Sequence, residues 1–102
     1  MTRVASKTIE AQNEFTGAIY PAEWAQGQKY GHLNISAQGA DWTSLTVTLQ
    51  RSFDRGENWE DFESYTENTS KVHTDYEIGV AYRIGVKTGD YNTAEVDVRL
   101  SK

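Results

Sequence analysis

Strict alternation of apolar and polar residues marks three stretches of this chain. Leu45, Val47 and Leu49 alternate with Thr46, Thr48 and Gln50. Val80, Tyr82, Ile84 and Val86 alternate with Ala81, Arg83, Gly85 and Lys87, and residues 94–100 repeat the pattern with Glu95, Asp97 and Arg99 on the polar side. A period of two is the mark of a strand with one buried face. Weaker alternation, with Leu33 and Ile35 set against His32 and Asn34, predicts a strand over 29–37. A short strand over 15–20 should end at Pro21, the single proline. Residues 21–27, with Trp24 as anchor, suit one helical turn. Residues 66–75 are polar and read as a loop holding at most one short strand. No stretch of about ten residues carries a capped helical period.

Between the strands at 42–51 and 59–65 lies Ser52-Phe53-Asp54-Arg55-Gly56-Glu57-Asn58-Trp59. A polar turn containing Gly between two alternating runs predicts a β-hairpin. The Ser52 hydroxyl and Asp54 carboxylate can satisfy turn amides, Gly56 can take a positive φ, and Trp59 can pin the turn onto a core. Such chemistry holds a loop rigid; it does not break bonds. The combined pattern predicts an all-β chain: a single antiparallel β-sandwich, Ig-like or jelly-roll-like, of about six to eight short strands. The weakly patterned residues 1–14 predict an extended N-terminal arm or an edge strand ahead of a sandwich domain over 15–102.

At 102 residues the chain suits one domain. It has no cysteine, which excludes disulfides and thiolate metal sites. The formal net charge of −5 argues against a nucleic-acid partner, because that binding is dominated by cations meeting phosphates. No apolar run is long enough to span a bilayer, and the start of the chain has no apolar segment of the kind a secretory signal needs. Neither a membrane partner nor export is therefore expected.

No catalytic, metal-binding or cofactor-binding residues emerge. His32 and His73 read as solvated surface residues on a strand and in a loop, with no triad order around them. The carboxylates Asp54, Glu57, Glu60, Asp61 and Glu63 do not follow the spacing of a calcium loop. Residues 85–90 lack both the spacing of a phosphate loop and the helix that must follow it. Arg83, on an outer face, is expected to pair with a carboxylate of a neighbouring strand. Trp24, Trp42 and Trp59, with Tyr20, Tyr30, Tyr65, Tyr76 and Tyr91, invite a sugar-stacking reading, but in a small β domain such rings usually fill the core.

The spacing Ser52-x-Asp54-x-Gly56-x-x-Trp59 resembles the Asp-box, a structural hairpin of sialidases and other β-propellers. The chain is too short for a propeller, so only the hairpin carries over. A wider string runs from Leu45 through Trp59, on through Tyr65-Thr66 and Tyr82 to Tyr91, and closes with Val96-Asp97-Val98-Arg99-Leu100-Ser101. It resembles short virion-associated structural proteins of tailed bacteriophages and prophages. The resemblance implies a non-enzymatic particle component made in the host cytoplasm and residing in the virion. The expected role is capsid decoration, with the major capsid protein or another virion protein as partner and a homo-oligomer, such as a trimer, as the form. The alternatives are a tail or head–tail neck protein, or a small carbohydrate-binding module. Phe15, Ile19 and Trp24 are the expected partner anchors, since aromatic and large apolar side chains dominate protein contacts.

Overall fold

A computed structural model of the chain describes residues 3–22 and 31–102, and eight strands make up its regular structure. In chain order these are β1 (Val4–Ile9), β2 (Glu14–Phe15), β3 (Gly31–Gly39), β4 (Val47–Ser52), β5 (Glu60–Tyr65), β6 (Thr69–Asp75), β7 (Ala81–Val86) and β8 (Val96–Ser101). They form two four-stranded sheets, β1-β8-β3-β6 and β2-β7-β4-β5, in which every pairing is antiparallel. The pairs β1·β8, β2·β7, β3·β6 and β4·β5 nest one inside the next. The chain is thus one long hairpin rolled up, with β8 meeting β3 and β7 meeting β4 to close each sheet. That connectivity is a jelly roll rather than an Ig-like arrangement.

The alternation seen in sequence becomes the inner faces. Leu33, Ile35 and Ala37 of β3, Val47 and Leu49 of β4, Tyr82, Ile84 and Val86 of β7, and Val96, Val98 and Leu100 of β8 form one buried cluster with Ile9 and Tyr65. Tyr82 is the largest fully buried side chain.

The sandwich takes in the segment expected to precede it. Residues 4–9 form the edge strand β1, in register with β8 from Val4↔Ser101 to Ile9↔Val96. Ile9 is fully buried, so the boundary expected at residue 14 does not separate an arm from a domain. The strand expected over 15–20 shrinks to Glu14–Phe15 plus one bridge, Ile19 to Tyr82. The helical turn expected over 21–27 lies mostly outside the described residues, as does Trp24. Trp42 precedes β4 instead of starting it. Its Nε1–H donates to Asn68 Oδ1 at 2.7 Å, tying the β3–β4 and β5–β6 loops together.

Residues 69–75, expected as loop with at most one short strand, form a strand of seven residues. Register explains the misreading. The β6 residues opposite Ala37, Ile35, Leu33 and Gly31, and so on the inner face, are Thr69, Lys71, His73 and Asp75. Val72 points outward and is 57 % exposed. An edge strand with inward charges resists pairing with a stray strand, and its polarity is the reverse of an ordinary half-buried strand.

Sheet β2-β7-β4-β5 is buried on both faces along β4. Outward-facing Thr48 and Ser52 are fully buried, and the Thr48 hydroxyl has no hydrogen-bond partner among the described residues. A buried unpaired hydroxyl costs about 1–3 kcal/mol. Thr48→Val is therefore expected to leave stability unchanged or raise it by about 1 kcal/mol in urea unfolding. A clear loss would show that the hydroxyl has a partner.

Candidate functional site

The hairpin between β4 and β5 is built around two side chains. Ser52 Oγ donates to Asp54 Oδ1 at 2.7 Å and accepts from the amides of Gly56 at 2.8 Å and Asp54 at 3.3 Å. Asp54 Oδ1 also accepts from the Asn58 amide at 2.9 Å, and Oδ2 accepts from Asn58 Nδ2 at 2.6 Å. Gly56 sits at φ +89°, where a side chain would be strained and its Cβ would stand 3.4 Å from the Trp59 ring. Ser52, Asp54 and Gly56 meet in this turn with Trp59 beside Gly56, and Asn58, which the sequence pattern did not single out, completes it through its amide groups. Both Asp54 oxygens are spent within the loop.

The Ser52 hydroxyl, and then the Asn58 amide groups, hold Asp54 down to about 2 from an ordinary 3.8. A depressed carboxyl contributes stability that is fully present above its unfolded value and is lost as pH falls through the folded one. Asp54 therefore stabilises the fold above about pH 4, and the contribution fades towards about pH 2. Asp41 and Asp61 are also lowered, by the Thr43 amide and by Lys87 respectively, so the wild-type slope is shared. The gap in urea midpoint between wild type and Asp54→Asn should shrink as pH falls from 4 to 2. A gap that stays constant over that range would refute the assignment.

Trp59 does not pin the turn to the core as expected. It is half-buried on the outer face of sheet β2-β7-β4-β5, where the Arg83 guanidinium lies 4.5 Å from its ring centre. The same guanidinium lies 4.2 Å from the ring centre of Phe15. Phe15 reaches this place because residue 85 is glycine: a Cβ there would fall 2.0 Å from the Glu14 carbonyl oxygen and 2.8 Å from the Phe15 ring. Arg83 Nε donates to Gln50 Oε1 at 2.8 Å, Gln50 Nε2 donates to Asp61 Oδ1 at 2.9 Å, and Lys87 Nζ donates to Asp61 Oδ2 at 2.7 Å. Arg83 thus meets a neutral amide where a carboxylate was expected, because Lys87 holds the nearby Asp61.

The expected anchors divide three ways. Phe15 is half-buried and stacked on Arg83. Ile19 is fully buried and hydrogen-bonds Tyr82 through both backbone groups, so it fastens the chain onto β7 and offers nothing to a partner. Trp24 is outside the described residues. Among the described residues, the large apolar side chains that are exposed are Val4, Phe53, Val72 and Tyr76. Tyr76, at 77 %, is the one exposed Trp or Tyr among the described residues, so no row of open rings forms there.

A second polar group closes the gap between β5 and β6. The register of β4 against β5 slips between Leu49 and Gln50, leaving Phe62 as the extra residue of a bulge. Its ring meets those of His73 at 4.9 Å and Tyr82 at 5.8 Å. The Tyr82 hydroxyl donates to Asp75 Oδ2 at 2.7 Å, so the 3.1 Å contact with His73 is the ring Nε2–H donating to the phenol oxygen. His73, expected as a solvated loop residue, instead bridges the two sheets. Burial first, and then the bond to Asp75, push the Tyr82 hydroxyl far above the usual phenol range. Alongside, Lys71 pairs with Glu63 at 2.9 Å, and Glu63 accepts from the Tyr65 hydroxyl at 2.7 Å. These groups satisfy one another. No group of three or more His, Cys, Asp or Glu is placed to hold a metal among the described residues.

The chain matches none of the protein-family models, curated proteins or solved structures with which it was compared.

Proposed function

We propose that this protein is a non-enzymatic structural subunit of a tailed-phage particle, decorating the capsid shell through contacts with the major capsid protein. The support is that the residues carrying the resemblance are the rigid frame. Leu45 to Trp59 is the run into β4, β4 itself and its hairpin; Tyr82 to Tyr91 is most of β7 with the turn after it, and Val96 to Ser101 is β8, and β4, β7 and β8 are all interior strands of their sheets. The residues that carry the resemblance thus belong mostly to the scaffold, and the observation that carries the reading is that the acid of the motif, Asp54, is engaged in holding its own turn. A stiff sandwich present in many copies multiplies a modest contact energy through avidity, and a homo-oligomer, such as a trimer at a local three-fold position, fits that use.

The test is to mix the purified protein with capsid shells assembled without it and to image the pellet by cryo-electron microscopy. Regular added density on the shell is expected. Shells that stay bare overturn the decoration reading, and density confined to the tail or neck moves the protein to that placement. A sugar-binding reading draws on a depression of about 210 Å³ lined by Arg51, Phe53, Asp54, Asn58, Trp59 and Glu60, beside the exposed Phe53 ring. It requires saturable binding on a glycan array that Phe53→Ala abolishes.

A further inference from the structure

The outer face of sheet β2-β7-β4-β5 holds an arginine whose surroundings fix its head group and leave its terminal donors without a partner among the described residues. Arg51 and Lys87, the other half-buried cations of this sheet, each hold a carboxylate, Glu60 and Asp61. Arg83 holds none among the described residues, and its one hydrogen bond is from Nε to Gln50. Gln50 cannot swing away, because its other amide end is bonded to Asp61. Phe15 and Trp59 stack on the guanidinium, and each ring is itself held. Phe15 lies across Gly85, and Trp59 lies beside Gly56 in a hairpin with five internal side-chain bonds.

A guanidinium presents five N–H donors in a rigid planar fork that matches a carboxylate two bonds at a time. With Nε engaged, the end-on pair Nη1 and Nη2 is what remains. Preorganisation of this kind removes the ordering cost that makes ordinary surface ion pairs weak. The rings are occupied by the cation, so they are poorly placed to stack on a sugar. The composition, Trp, Phe and Arg gathered on a half-buried patch, is that of the centre of a protein–protein contact.

We infer that Arg83, set between Phe15 and Trp59, is a docking site for an Asp or Glu side chain of a partner protein, received end-on by Nη1 and Nη2. This deepens the structural-subunit reading and rests on it for the partner being a protein; the site itself stands on its own geometry.

The test uses small probes, so its failure is distinct from failure to bind a shell. Arginine Nε–H resonances of the full chain are followed at low ionic strength during titration with a capped Gly-Glu-Gly peptide, with its Gly-Gln-Gly counterpart, with glucuronate and with inorganic phosphate. The Arg83 signal is expected to shift saturably with the glutamate peptide and not with the glutamine one. Arg83→Lys, which keeps the charge but loses the fork, should weaken the glutamate peptide at least fivefold while the amide spectrum stays that of the folded protein. No saturable shift, an equal shift from the glutamine peptide, or unchanged affinity in folded Arg83→Lys would overturn the site. Tenfold tighter binding of glucuronate or phosphate would overturn the protein-side-chain assignment. In shell binding, Arg83→Gln should weaken attachment, and undiminished attachment would place the shell contact elsewhere.

Discussion

A chain lacking residues 1–14 is expected not to fold. The deletion removes β1, which pairs with β8 along its whole length, and the first residue of β2. It also removes Ile9, which lies opposite Val96 and is fully buried in the core cluster. Losing a buried Ile side chain alone costs about 2–5 kcal/mol. Small domains hold only about 5–15 kcal/mol in all. Stripping β1 also exposes the backbone of β8, otherwise central in its sheet, as a new edge. Far-ultraviolet circular dichroism and urea unfolding should show no cooperative transition, or a protein that aggregates. A truncated chain that unfolds cooperatively near the wild-type midpoint would mean that the segment is an appendage after all. Shell binding by such a truncation therefore cannot report on an arm; point changes at the exposed Phe53, Val72 and Tyr76 are the cleaner probes of contact.

Strands with one apolar and one polar face were readable in sequence because that alternation is what burial of one side demands. β4, β7 and β8 fall within a few residues of where the pattern puts them. β6 escaped because its inner positions are Lys71, His73 and Asp75, which bond to Glu63 and Tyr82 across the gap instead of entering the core. The hairpin chemistry of Ser52, Asp54 and Gly56 was legible because all its bonds are local. The position of Trp59 was not: a turn motif specifies the loop but not which side of the sheet its last ring covers. Arg83 was harder still. Its two rings come from residues 15 and 59, and only the fold brings them together. One sequence signal did point there. Gly85 interrupts the apolar-rich run of β7, and a glycine inside a strand often marks a close approach of another backbone.

Gly85→Val tests that approach directly. The new side chain would project outward from β7, and even its Cβ would stand 2.0 Å from the Glu14 carbonyl oxygen and 2.6 Å from Phe15 Cα. Both are backbone atoms, so no rotamer change relieves the clash; β2 must lift. Lifting it breaks the pairing of Glu14 with Val86 and Phe15 with Gly85, and pulls the Phe15 ring from the Arg83 guanidinium. It also uncovers Thr48, which pairs with Gly85 in β4 and is fully buried. Overpacking costs typically 1–3 kcal/mol, and the loss of β2 contacts adds to it, so about 3 kcal/mol is expected in urea unfolding. The core beneath is untouched, because Ile84 and Val86 keep their inward places. The variant should therefore still fold at low temperature, with its largest spectral changes at Phe15, Thr48 and Arg83. Unchanged stability would mean that β2 does not lie across Gly85. Loss of stability with an unshifted Arg83 signal would mean that the Phe15 ring does not hold the guanidinium.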